Sequence, residues 1–243
     1  MNFTLGPGKE QKLTVPIDAS SSNGENMDLK DSKFVQILIM GDSIGKGTGD
    51  EKALGIGGNL SSLLKNQTPK DIKIENLAID GYRIDNLLEQ VQSGRVDKAI
   101  AISNVILLSI GGNDLRQIQA LKDIEKVQTF QEEQGRYLSE LKEIIQRLRS
   151  INKEAQLVVL GLYNPFIVDN SSDNIWYVET WNYNTQLLLA KDDKAVFVPT
   201  YEIFKNNLDR FISEDKLHPN TMGYQTISFL IGKSIENVLG KFN

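Results

Sequence analysis

A serine hydroxyl becomes a useful nucleophile only when a base removes its proton, and histidine suits that task because its pKa lies near neutrality. The sequence contains one histidine, His218. It lies in Asp215-Lys216-Leu217-His218-Pro219-Asn220, three residues after a carboxylate. At the imidazole Nδ1, Asp215 would fix the tautomer and stabilise the imidazolium. The serine that stands out is Ser43, in Gly41-Asp42-Ser43-Ile44-Gly45 directly after the apolar run Phe34 to Met40. Each segment also has a plainer reading. Ser43 would make a good N-cap for a helix that follows a strand, and Asp215 to His218 would make an ordinary surface turn ahead of a helix capped by Asn220. Taken together, they predict a hydrolytic site in which Ser43 is the nucleophile, His218 the base and Asp215 its orienting acid.

Two more segments carry suitable donors. Asn76-Leu77-Ala78-Ile79-Asp80-Gly81 and Gly111-Gly112-Asn113-Asp114 each end an apolar run. The Gly81 amide can approach a substrate without a side chain in the way, and the Asn113 side-chain NH2 can donate. Preorganised donors of this kind are worth about 3–4 kcal/mol each to an oxyanion transition state. Gly and Asn are also the ordinary residues of βα turns. Three familiar motifs at Ser43 do not hold. Gly-x-Ser-x-Gly elbows follow several strands, with the acid and histidine on separate later loops, and the histidine of chymotrypsin-like proteases precedes the serine. A phosphate loop needs Gly and Ser/Thr where this chain has Met40 and Gly47.

These residues need a scaffold that brings them together. Phe34 to Met40, Ile72 to Leu77, Val105 to Ile110, Leu157 to Leu160 and Ala195 to Val198 are short apolar runs without alternation, as expected of strands buried on both faces of a parallel sheet. Helical patterns separate them: Arg136 to Arg149, Trp176 to Leu189 and Thr221 to Leu239. Five strands with intervening helices predict a three-layer α/β/α domain with a doubly wound five-stranded parallel sheet. Ligands of such sheets bind beyond the carboxyl ends of the strands, where Ser43, Gly81, Asn113 and Asn164 all fall. The expected domain is 33–243. Residues 1–32 read as a flexible polar tail, rich in Gly, Pro and Ser.

Composition excludes several other classes. The chain has 243 residues, 40% of them hydrophobic, and no cysteine, which rules out disulfides and thiol catalysis. One histidine rules out a His-rich metal centre, and no metal or cofactor is expected. A net charge of −5 with scattered lysines argues against nucleic acid. No apolar run reaches the roughly 20 residues of a membrane helix. Met1 to Gly8 carries neither the basic region nor the apolar stretch of a signal peptide, so none is expected in that segment. A tail tethering an exported domain slightly favours a bacterial extracytoplasmic setting over a cytoplasmic one.

The four segments together resemble the SGNH (GDSL-type) hydrolase family, whose blocks supply Ser in Gly-Asp-Ser, Gly after the second strand, Asn in Gly-x-Asn-Asp and His in Asp-x-x-His-Pro. All four occur in family order as Ser43, Gly81, Asn113 and Asp215 with His218, spanning residues 38–224. Gly161 to Phe166 is similar to a segment of the bacterial lipase/acylhydrolase subgroup. The sequence departs from the usual pattern at Ile44, Gly45 and Ala78, none of which removes a reacting atom. The resemblance implies a flavodoxin-like SGNH fold and attack of Ser43 on an ester carbonyl. It also implies an acyl-enzyme and an oxyanion held by the Ser43 and Gly81 amides and Asn113. Ile44, Tyr82, Leu115, Tyr163, Phe166 and Leu217 neighbour the blocks and are candidate substrate contacts. Trp176, Tyr177 and Trp181 could wall the site, although aromatic residues at helical spacing usually pack into the core. The expected substrate is a lipid-type or short-chain carboxylic ester. The alternatives are a carbohydrate O-acetyl group, or a non-catalytic binding role on the same fold.

Overall fold

The structure is a computed structural model that describes residues 33–65, 67–119, 123–165 and 172–240. The expected N-terminal tail and Phe166 lie outside the described residues.

Strand β1 (Phe34–Gly41) leads through the short helix α1 (Ser43–Lys46) and α2 (Gly55–Leu64) to β2 (Asp71–Asn76). Helices α3 (Ile84–Gln92) and α4 (Asp97–Ile102) precede β3 (Val105–Ser109), and α5 (Gly112–Gln119) and α6 (Asp123–Ile151) precede β4 (Gln156–Leu160). Helix α7 (Ser172–Leu189) leads to β5 (Ala195–Val198). The chain closes with α8 (Tyr201–Lys205), α9 (Leu208–Phe211), α10 (Thr221–Ser234) and α11 (Glu236–Leu239). The strands form one parallel sheet in the order β2-β1-β3-β4-β5. This is the doubly wound α/β architecture expected from the alternation of apolar runs and helical patterns.

The continuous apolar runs follow from burial on both faces. Leu38, Met40, Ile106, Leu108, Leu157 and Val159 pack with α3, α6 and α7, while Ile37, Ile39, Val105, Leu107, Val158 and Leu160 pack with α2 and α10. The second strand corrects the sequence reading. In β2 the residues Asp71, Lys73 and Glu75 are exposed, and Ile72 and Ile74 are only half-buried. It is an edge strand, and alternating charges suit an edge because they discourage pairing with another chain. The long helical pattern from Thr221 breaks at Ile235, dividing α10 from α11. Among the described residues no helix is long and apolar enough to cross a membrane.

The strand order places a topological switch between β2 and β3 on either side of β1. The crevice beyond the carboxyl ends of β1 and β3 is where such sheets receive ligands. Ser43 follows β1 and Asn113 follows β3, so the sheet delivers both to that crevice.

Candidate active site

The backbone around Ser43 is fixed before any side chain acts. The β1–β3 ladder runs one step past the strand, with the Asp42 amide donating to the Ser109 carbonyl at 2.8 Å. Gly41 sits at φ +123°, and a Cβ there would come within 1.8 Å of the Ser109 oxygen, so this crossing requires glycine. Asp42, not Ser43, is the N-cap of α1: its Oδ1 accepts from the Ile44 amide at 3.0 Å and from Ser109 Oγ at 2.9 Å. The capping role that the sequence left open for Ser43 therefore belongs to its neighbour, and the Ser43 hydroxyl is released for another partner.

That partner is His218, whose Nε2 lies 2.9 Å from Ser43 Oγ. Its Nδ1 lies 2.6 Å from Asp215 Oδ2. The other carboxylate oxygen, Oδ1, accepts from Ser213 Oγ at 2.8 Å, the Leu217 amide at 2.8 Å and the His218 amide at 2.9 Å. Burial works against the charge, but these hydrogen bonds prevail and hold the Asp215 carboxyl well below the usual carboxylate range. An ionised carboxylate only accepts, so Nδ1 carries the imidazole proton and Nε2 is free to accept from the serine.

The turn that carries Asp215 and His218 is itself pinned. The Ser213 amide donates to the His218 carbonyl at 2.8 Å, and Lys216 takes φ +62°. Asn220 caps α10 by accepting from the Gly223 amide at 2.9 Å, as its position before a helix predicts. Tyr163 Oη donates to the Leu217 carbonyl at 2.7 Å while its ring stacks on Phe204. Burial pushes the Tyr163 phenol well above its usual range, so it remains a neutral donor.

Asn113 Nδ2 donates to the Tyr82 carbonyl at 2.9 Å, which orients the amide and leaves its second N–H for another acceptor. Gly81 is exposed, with φ +78°, and the neighbouring Asp80 accepts from Thr48 Oγ1 at 2.5 Å and from the Lys46 ammonium. Hydrogen bonds from Lys46 and Thr48 hold the Asp80 carboxyl below its usual range. Asp42 behaves in the opposite way. Burial pushes it up to about 6 despite hydrogen bonds from Ser109, Ile44 and Gly45, and the charge of Asp114 adds to the rise.

A pocket opens at Ser43 and His218. Ile44, Leu115, Tyr163 and Leu217, four of the residues singled out as substrate contacts, line it. Tyr82 does not: it lines a separate cavity with Leu77, Gln90 and Ala99. Sequence reasoning missed Leu160, Leu162, Pro165 and Val178 on the apolar wall, and Asp42, Ser109 and Arg116 among the polar members. Ser109 ends β3, so the strand-end rule could have found it. Val178 lies within α7, and nothing in its sequence setting marks it. The aromatic residues divide: Trp181 and Tyr177 are buried in the core, whereas Trp176 is 48% exposed and packs on Phe130. Among the described residues no group of three or more His, Cys, Asp or Glu side chains is placed to hold a metal ion.

The parallel sheet thus carries a hydrogen-bonded Ser, His and Asp beyond the carboxyl ends of its strands. The chain belongs to the GDSL-like Lipase/Acylhydrolase family, whose model matches residues 39–226. It is 31% identical over 225 residues to the uncharacterized protein YpmR of Bacillus subtilis (strain 168), covering 89% of this chain and 88% of that one. Among solved structures it is similar to the lipase Lip_vut3 from goat rumen metagenome, with a TM-score of 0.74 and 20% identity over 82% of this chain and 97% of that one. It is also similar to the Clostridium thermocellum family 3 carbohydrate esterase, with a TM-score of 0.65 and 19% identity over 85% of this chain and 98% of that one. At these identities the two structures bear on fold alone.

Proposed function

We propose that this chain is a serine carboxylic-ester hydrolase of the acylhydrolase type, with Ser43, His218 and Asp215 as its catalytic triad. The observation that carries the reading is the continuous hydrogen-bonded chain from Ser43 Oγ through the imidazole to Asp215, at 2.9 and 2.6 Å. In this mechanism Ser43 Oγ attacks the ester carbonyl as His218 Nε2 takes its proton, and the imidazolium is stabilised by Asp215. The oxyanion is received by the Ser43 amide, which lies in the first turn of α1 and has no acceptor within that helix. The Gly81 amide and the second N–H of Asn113 complete the set. His218 then protonates the departing alcohol. Water attacks the acyl-enzyme, giving its proton to His218, and Ser43 is restored as the carboxylic acid leaves. No cofactor or metal takes part.

The pocket wall supports an acyl group over a sugar as the portion bound there. Leu115, Leu160, Leu162, Tyr163, Val178 and Leu217 present mainly hydrocarbon, and each methylene buried against such a wall is worth about 0.8 kcal/mol, roughly fourfold in kcat/KM. A p-nitrophenyl ester chain-length series, run beside acetylated xylan with Ser43→Ala as the blank, tests this. Rising kcat/KM from acetate to butyrate and beyond is expected. Fastest turnover on acetate with release of acetate from xylan would instead identify a carbohydrate O-acetyl esterase, and no turnover of any ester would identify a binding protein.

A further inference from the structure

The mechanism leaves unused a fully buried carboxylate, Asp114, one residue beyond Asn113. Arg83 Nε and Arg136 Nη2 lie 3.5 and 3.1 Å from its Oδ1. The Ile84 amide points between its two oxygens, at 3.4 and 3.2 Å. Both arginines also reach Glu133 Oε2, at 3.4 and 2.7 Å, and Arg136 reaches Glu140 at 3.2 Å. One carboxylate therefore joins the start of α3, the first turn of α5 and the middle of α6.

As a pure stabiliser such a cluster is a poor device. The cost of stripping water from a buried carboxylate commonly cancels its attraction to the cations around it, and an apolar replacement is often as stable. What the cluster does supply is register. The segment that carries Gly81 is bonded at one end to the nucleophile loop, through Asp80 with Lys46 and Thr48. At its other end, Arg83 and Ile84 are bonded to Asp114. Between them the Tyr82 carbonyl holds the Asn113 side chain at 2.9 Å.

We propose that Asp114 is a positioning residue that sets the separation of the Gly81 amide and the Asn113 side chain, and so preorganises the oxyanion donors. The inference rests on the reading of those two groups given above. Asparagine at position 114 keeps the shape but removes the charge that gathers the two guanidiniums. The start of α3 then loosens from α5, and the Gly81 segment moves relative to Asn113.

The test compares Asp114→Asn with wild type, both titrated for active sites with a fluorophosphonate. Activity per titrated site should fall about 10- to 100-fold, less than the 100- to 1,000-fold that follows outright loss of an oxyanion donor. KM should stay within threefold. Affinity for a trifluoromethyl ketone, whose hemiketal oxyanion occupies the same donors, should fall by the same factor as kcat/KM. Arg147→Met, elsewhere on α6, removes the 2.7 Å ion pair to Asp97 of α4 and should leave kcat per site unchanged. If Asp114→Asn does not fold, Arg136→Lys carries the same expectations in weaker form, because lysine cannot reach Asp114 and Glu133 together with one planar fork. A kcat per site and a ketone affinity within twofold of wild type would overturn the proposal. Failure of the wild-type protein to react with the fluorophosphonate at all would overturn the Ser43 reading itself, so the two failures are distinguishable.

Discussion

Replacing Asp215 with asparagine should damage this enzyme more than its near-identical shape suggests, and the reason lies in the turn geometry. Three donors converge on Asp215 Oδ1: Ser213 Oγ at 2.8 Å and the amides of Leu217 and His218 at 2.8 and 2.9 Å. An asparagine must leave its carbonyl oxygen there, because turning its NH2 toward three donors forfeits three hydrogen bonds at about 1 kcal/mol each. Its NH2 therefore faces His218 Nδ1, which must now accept. The imidazole proton moves to Nε2, the nitrogen 2.9 Å from Ser43 Oγ. The ring then donates toward the nucleophile and cannot take its proton. A wrong tautomer of this kind costs about 10⁴ in kcat, or about 5.4 kcal/mol of barrier. The assay is kcat/KM on a p-nitrophenyl ester at neutral pH, with thermal melts showing that Asp215→Asn folds. A loss smaller than tenfold in a folded variant would refute the argument.

Two further predictions rest on nearby groups. The Asp42 carboxyl is pushed up to about 6 from an ordinary 3.8, so between those values the folded protein holds a proton that the unfolded chain has released. Stability from this group is complete below about pH 4 and is lost as pH rises through about 6, a change of roughly 3 kcal/mol. Urea midpoints for wild type and Asp42→Asn from pH 4 to 7 should show wild type losing that much relative to the variant, and a gap independent of pH would contradict it. Gly49 has φ +93°, and a Cβ there would lie 2.6 Å from His218 Cβ and 2.9 Å from the Pro219 oxygen. Gly49→Ala should displace His218 by a fraction of an ångström and lower kcat/KM by up to about 100-fold; an unchanged kcat/KM in the folded variant would contradict it.

The architecture was legible because its signal is repetitive. Apolar runs such as Phe34 to Met40 and Val105 to Ile110 match strands covered on both faces, and the chemistry-bearing residues fall where those runs end. The second run misled because Ile72 and Ile74 look like a buried strand, while their neighbours Asp71, Lys73 and Glu75 alternate in the manner of an edge. Adjacent residues were easy to relate: Asp215 and His218 share one turn, so their contact is nearly local. Distant partners were not. The 2.9 Å approach of Ser43 to His218 spans 175 residues and depends on sheet order. The capping of α1 by Asp42 could not be separated from capping by Ser43, since both residue types cap well. The far wall of the pocket was illegible because Leu162 and Val178 come to line one pocket only when α7 docks on the segment after β4, where Asn182 bonds the Leu162 amide and carbonyl at 2.8 Å each. Tyr82 shows the converse: it sits beside Gly81 in sequence, yet it lines a different cavity from the one at Ser43.

Whether Ser43 is a nucleophile activated by His218 is decided by treating the protein with a fluorophosphonate and mapping the adduct by peptide mass spectrometry. A single stoichiometric adduct on Ser43 is expected, formed far more slowly in His218→Ala and absent in Ser43→Ala. An adduct on another residue, or ester turnover that persists in a folded Ser43→Ala protein, would contradict it.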